Sequence, residues 1–257
     1  MRFVITLERL HQGGNVLPIN YQYELASWIY KSISGGDEEY AKWLHFNGFT
    51  DGNKQFRLFT FSHLDIKEKK IYEDRIRLFS ERINFHISLL PGRSTEEFIK
   101  GVFGSREFSL GDSRSKVYFR VTGVEKLPEI QFREEMVFEA LSPIVVSEKG
   151  ENGSAHFLDP ADEKVPYFLA GNLLQKYKAF TGKEYAGPDR MKFELLSRAR
   201  KKGITIKTGT RSQTKVIGYL YTFCFTAPEE LMKIGYHAGF GEKNSMGFGC
   251  VGERISG

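Results

Sequence analysis

The chain has 257 residues, 40% hydrophobic and 14% aromatic, enough for one large core or two of about half that length. That apolar content excludes a disordered polymer, and no apolar run approaches the ~20 residues needed to span a bilayer. The opening residues read as a strand and not as a signal peptide, so a cytoplasmic location is expected. Cys224 and Cys250 are far apart and lack a CxxC or CxxH companion; they are expected to be buried small residues, with no metal and no cofactor implied.

Residues 2–8 alternate Phe3, Ile5 and Leu7 with polar positions, which predicts a strand, and 11–15 read as a turn. Over 20–33, Tyr21, Leu25, Trp28, Ile29 and Ile33 fall at helical core spacing, with a stop near Gly35-Gly36. Asp37 is placed to cap a second helix running to about His45. After a turn at Asp51-Gly52-Asn53, strands are expected at 57–63, 76–79 and 84–90, a helix at 94–102 and a strand at 116–124.

The second half repeats the order. A strand is expected at 136–146, a helix at 161–180, and strands at 191–196, 204–207 and 215–225. Thr226 and Glu229 stand at capping-box spacing ahead of a short helix, and a last strand is expected at 246–253. Two β-α-β-β-α-β units, residues 1–127 and 128–257, make an α+β chain with hairpin insertions.

Charge is unevenly placed. Arg190, Lys192, Arg198, Arg200, Lys201, Lys202, Lys207, Arg211 and Lys215 face one acid, Glu194, in 26 residues, while the whole chain carries +5. Solvated charged faces normally mix both signs, so one-sided clustering favours a polyanion such as nucleic acid. Glycines are uneven too: Gly235, Gly239, Gly241, Gly247, Gly249 and Gly252 are six of the 26. Such clusters occur in tight hairpins, yet they also let a ligand approach the backbone, and Lys243, Asn244 and Ser245 between them offer donors to a phosphate. Lys243 is followed by asparagine, not by the Ser or Thr of a P-loop, so an ATPase is not indicated.

RNA can be cut without a metal if a base takes the 2′-hydroxyl proton, an acid protonates the leaving 5′-oxygen and a cation meets the phosphorane charge. Tyr30, His45 and a cation among Lys54 and Arg57 are the first-half candidates. A lone histidine is more often structural; His63, His86 and His237 are weaker candidates, and Glu96-Glu97 and Glu229-Glu230 fit first helical turns.

The run from Gly235 to Gly249, together with the opening Met1-Arg-Phe-Val-Ile5, Leu58-Phe-Thr-Phe-Ser62 and Leu141-Ser-Pro-Ile-Val145, closely resembles the CRISPR-associated endoribonucleases of the RAMP superfamily that cut precursor CRISPR RNA within its repeats. The resemblance implies tandem ferredoxin-like domains, catalytic residues in the first and an RNA-binding loop in the second. It implies CRISPR repeat RNA as partner, with a CRISPR effector complex and a homodimer as further candidates. Trp28-Ile-Tyr30, Trp43-Leu-His45 and Arg57-Leu-Phe-Thr60 fill the family's pattern. His45 is thereby implied as general acid and Tyr30 as the group that positions or deprotonates the 2′-hydroxyl. Arg57 stands where that pattern commonly has lysine, leaving the cation's role open between Lys54 and Arg57. The rivals are a non-catalytic RNA-binding subunit of the same machinery and an RRM pair, the latter lacking its aromatic signature strand.

Overall fold

Phe3, Ile5 and Leu7 do turn inward together, and their strand, β1 (Arg2–Arg9), lies at the centre of the first sheet. The computed structural model describes residues 1–104, 106–150, 153–188, 190–208 and 210–254. The chain continues through β2 (Val16–Pro18), α1 (Gln22–Gly36), α2 (Glu38–Phe46), β3 (Phe49–Asp51), β4 (Lys54–Phe56) and β5 (Phe59–Phe61). Next come β6 (Lys69–Tyr72), β7 (Arg75–Leu78), β8 (Arg82–Leu89), α3 (Arg93–Gly104), β9 (Glu107–Gly111) and β10 (Lys116–Lys126). The sheet order is β5-β8-β1-β10-β9, with β1 antiparallel to both β8 and β10. Without edge strand β9, that is the order of a ferredoxin-like unit. Trp28 of α1 lies stacked on Phe108, ring centroids 4.2 Å apart, and edge-on to Phe85 and Phe98.

The second unit is β11 (Glu135–Ala140), β12 (Ser147–Lys149), β13 (Ala155–Phe157), α4 (Val165–Thr181), β14 (Lys192–Leu195), β15 (Arg200–Ile206), β16 (Thr214–Leu220), β17 (Thr222–Thr226), α5 (Glu229–Ala238) and β18 (Val251–Glu253). Its sheet order, β14-β17-β11-β18, repeats that of the first unit, and Phe138, Phe223, Phe225 and Phe240 fill its core. The fold is therefore tandem ferredoxin-like α+β.

Several expected elements come out differently. The strand expected at 215–225 breaks at Tyr221: its first part pairs with β15 as a separate hairpin, and its second part enters the main sheet. Residues 204–207 thus belong to the hairpin and not to the sheet. The 136–146 strand ends at Ala140, leaving a single bridge from Ile144 to Tyr219. Of 246–253, residues 251–253 alone are strand. No capping box forms, because Thr226 is held in β17 and the helix starts from Pro228, whose carbonyl accepts from Leu231 and Met232 at 2.9 and 3.0 Å. β6 escaped notice because its four residues are exposed and show no alternation.

The units are sewn together by buried polar contacts. Arg2 donates to Ser88 Oγ (2.6 Å) in its own unit and to the Val251 and Tyr236 carbonyls (2.6 and 3.0 Å) in the other, with its guanidinium over the Tyr236 ring. Thr60 donates to the Phe248 carbonyl at 2.9 Å. Leu58, from the first unit, is buried in the core of the second.

Candidate active site

His45 stands in the last turn of α2, and the sequence explains why that helix starts and stops where it does. Asp37 caps its start, accepting from the Tyr40 N–H at 2.7 Å. Gly48 ends it in the left-handed region (φ +58°), donating to the Trp43 carbonyl at 2.8 Å, and a Cβ there would press on the Phe56 carbonyl at 2.6 Å. Two carbonyls orphaned by the helix end are then taken up from the following segment: Gln55 donates to Phe46 (3.1 Å) and the Arg57 guanidinium to His45. Arg57 therefore braces the turn that presents the imidazole. The next residue, Leu58, is itself at φ +52°, a strained conformation for a branched side chain, held by burial in the second unit's core.

Tyr30 projects from α1 with its ring edge-on to His45 (centroids 5.8 Å) and to Phe59 (5.5 Å). Burial raises the pKa of its hydroxyl, while the Ser245 hydroxyl and the Arg57 guanidinium pull it down. The phenol is thus protonated at neutral pH, beside a cation and a hydroxyl that favour its anion. Lys54 is exposed on β4 and its ammonium donates to Gln175 Oε1 of α4 at 2.8 Å, a neutral partner that leaves its charge uncompensated. A salt bridge between Lys178 and Asp51 (3.1 Å) ties the same β3–β4 hairpin to α4.

Tyr30, His45, Lys54 and Arg57 all line one cleft of ≈ 1610 Å³ between the units. Its far side is α4, the 241–246 turn and Lys207. Two carboxylates of the lining are engaged, Glu148 by Lys164 (2.9 Å) and Glu242 by Ser147 Oγ (3.0 Å). Lys54, Arg57, Lys207 and Lys243 line it too, and among the described residues none of them has an ion-pair partner. The cleft is accordingly a positive, partly apolar groove, suited to a phosphate-bearing chain.

Of the basic stretch, Lys207 reaches this lining; Arg190, Lys192, Arg198, Arg200, Lys201, Lys202, Arg211 and Lys215 are exposed outside it. Arg200 to Lys202 form the exposed start of β15, on a hairpin that touches the first unit where Thr205 donates to Asn20 (3.3 Å).

The glycine-rich stretch departs from expectation. Added side chains at Gly239, Gly241, Gly247 and Gly249, all at positive φ, would collide with Asn244, the Val145 carbonyl, Phe61 and the Phe240 carbonyl respectively. The N–H groups of Gly239, Phe240, Glu242, Met246, Gly247 and Gly249 are bonded within the protein, so these N–H groups are not open to an anion and the glycines serve close internal packing. Asn244 is likewise buried, its amide donating to the Phe240 and Phe248 carbonyls at 3.1 Å. Lys243 and Ser245 remain at the cleft.

Burial lowers the pKa values of His63 and His86 to about 4 and of His237 to about 3, so all three are neutral packing groups at physiological pH. Cys250 is buried, whereas Cys224 is half-buried.

Sequence reading overlooked the α4 wall. Lys176 is fully buried, donating to the Gly239 and Gly241 carbonyls at 2.6 and 2.9 Å, and burial drops its pKa to about 7. A signal existed: Val165, Leu169, Leu173 and Lys176 share one helical stripe, and a lysine on an apolar stripe needs a partner.

Two ferredoxin-like units around a basic cleft bearing tyrosine, histidine, lysine and arginine place the chain in a class, the RAMP proteins. Residues 16–124 match the family described as CRISPR-associated protein Cas6, N-terminal, and 125–252 match CRISPR associated protein Cas6, C-terminal. The chain is 31% identical over 250 residues to CRISPR-associated endoribonuclease Cas6 1 of Methanocaldococcus jannaschii, covering 96% of this chain and 91% of that one. Among solved structures it is similar to a Cas6-related protein of Pyrococcus furiosus (TM-score 0.83, 28% identity, 99% and 98% covered). A second, described as a RAMP protein binding different RNA substrates, gives a TM-score of 0.81 at 27% identity, with 99% and 100% covered. The chain belongs to the Cas6 family of CRISPR-associated endoribonucleases.

Proposed function

We propose that the protein is a metal-independent endoribonuclease that binds CRISPR repeat RNA and cuts precursor CRISPR RNA, leaving a 2′,3′-cyclic phosphate and a 5′-hydroxyl. The observation that carries this is the meeting of Tyr30, His45, Lys54 and Arg57 in one cleft with Lys207, Lys243 and Ser245. In the reaction the 2′-oxygen attacks phosphorus and the P–O bond to the 5′-oxygen breaks. Tyr30 orients the 2′-hydroxyl, and in the small phenolate fraction that Arg57 and Ser245 favour it takes that proton and returns to the phenol. His45, exposed and braced through its carbonyl by Arg57, hands a proton to the departing 5′-oxygen.

We assign the cation's role by division of labour. Arg57 is committed to the His45 carbonyl and to Gln55 and acts as the orienting residue, while Lys54 keeps two spare donors and meets the phosphorane charge. The exposed cations of β14 to β16 hold the RNA backbone and set register without choosing sequence.

Cleavage of the host's labelled repeat RNA in excess EDTA tests this, with wild type, His45→Ala and an RNA carrying 2′-deoxyribose at the cut site. Cleavage that survives EDTA and disappears in both controls supports the mechanism. Tight binding without cleavage by wild type would leave a non-catalytic RNA-binding subunit instead.

A further inference from the structure

Two features of α4 serve no internal purpose. Tyr167 is 77% exposed, although its ring stands at the cleft, and its one ring contact among the described residues is edge-on to Phe168 (5.7 Å). One turn later, Gly171 occupies the middle of the helix, where glycine costs stability relative to alanine, yet an added Cβ would meet nothing within 4 Å. Of the other glycines lining the cleft, Gly241 is explained by the Val145 carbonyl that a Cβ would strike and Gly153 by its positive φ of 74°; neither reason applies to Gly171. Residues i and i+4 share a helical face, so the exposed ring and the bare backbone adjoin on the cleft wall, and Gln175, four residues further on, holds the candidate Lys54.

Charge orients what lies there. Beside Tyr167 is a smaller hollow lined by Glu148, Glu163, Lys164 and Phe168; Lys164 is paired with Glu148 at 2.9 Å, which leaves the Glu163 carboxylate to repel a phosphate and accept a hydrogen bond from a base amino group. Lys54, Arg57, Lys207 and Lys243, which have no acidic partner among the described residues, line the cleft but not this hollow. A nucleotide's two ends match this gradient, with the base toward Tyr167 and the phosphate toward the cations.

We infer that the Tyr167–Gly171 face of α4 is a subsite for one unpaired nucleotide of the RNA, its base stacked on Tyr167 and its sugar passing close over Gly171. The inference rests on the proposed RNA-cleaving function and deepens it: the cut strand is single-stranded at this point. Stacking on an aromatic ring tolerates any base, and the neighbouring Glu163 carboxylate favours one with an exocyclic amino group.

The test measures affinity for the host's repeat RNA, blocked at the cut site by 2′-deoxyribose, alongside cleavage of the unblocked RNA. Tyr167→Ala and Tyr167→Leu should weaken binding roughly 5- to 100-fold, while Tyr167→Phe and Tyr167→Trp retain it, as stacking requires. Gly171→Ala should raise the thermal midpoint by about 2–4 °C, because the helix gains and nothing clashes, and yet weaken binding at least about threefold. A 2-aminopurine scanned through the repeat should be quenched at one position by wild type and not by Tyr167→Ala. If both Ala variants bind and cleave as wild type, the subsite is overturned while the proposed function stands. If wild type binds no repeat RNA, both fall.

Discussion

At Gly48 a single hydrogen atom decides whether the segment carrying His45 and Arg57 can close. Its positive φ and the Phe56 carbonyl 2.6 Å from any added Cβ predict that Gly48→Ala costs about 1–3 kcal/mol, read as a lower urea midpoint. Arg57 Nη1 would also be displaced, so cleavage should fall by more than the loss of folded protein explains. Lys54 and Arg57 separate in a different measurement. Lys54→Ala is expected to lower kcat about 100-fold with RNA affinity little changed, since it meets charge that develops only in the transition state. Arg57→Lys should keep the charge but lose the brace on α2, lowering kcat with a matching loss of His45 order by NMR; equal effects of both substitutions would contradict the division of labour.

Among elements, α4 and the glycine-rich turn act as one piece through Lys176. Its pKa of about 7 lies below the ordinary lysine value of 10.5, so between these values the unfolded chain binds more protons than the folded one. Stability from this group is therefore complete above pH 10.5 and lost as pH falls toward 7. Lys176→Met should flatten that pH dependence and, by leaving the Gly239 and Gly241 carbonyls unpartnered, cost about 1–3 kcal/mol near neutrality in chemical denaturation. The elements also show what spacing conveys: α1, α2 and β1 were legible because each has a burial stripe and a stop signal. The split at Tyr221 was not, because β16 and β17 form a continuous apolar run whose two partners, β15 and β11, lie far apart in sequence.

For the whole molecule, the cleft exists only while the two units stay docked. Arg2 carries much of that docking, and Arg2→Met should destabilise by about 3–5 kcal/mol, since three oxygens would lose a buried charged donor. Acid should act on the folded state through His63 and His86. Their folded pKa values near 4 are below the ordinary 6.5, so their contribution is present above pH 6.5 and lost as pH falls to 4. A urea midpoint independent of pH across that window would contradict their buried, neutral state.

The sequence by itself determined the two β-α-β-β-α-β units and the basic stretch, because periodicity, capping and charge are local properties, while its resemblance to a family singled out Tyr30, His45, Lys54 and Arg57 as candidates. Tertiary structure decided which of these meet. Lys207 reaches the cleft while the other cations of its stretch lie outside, and the glycines face inward because neighbours distant in sequence, Val145 and Phe61, press on their backbone. The α4 wall, with Tyr167, Gly171 and Gln175, joins the cleft through a hairpin more than a hundred residues earlier. No local pattern records such a contact, since long-range packing selects it only after both units have formed.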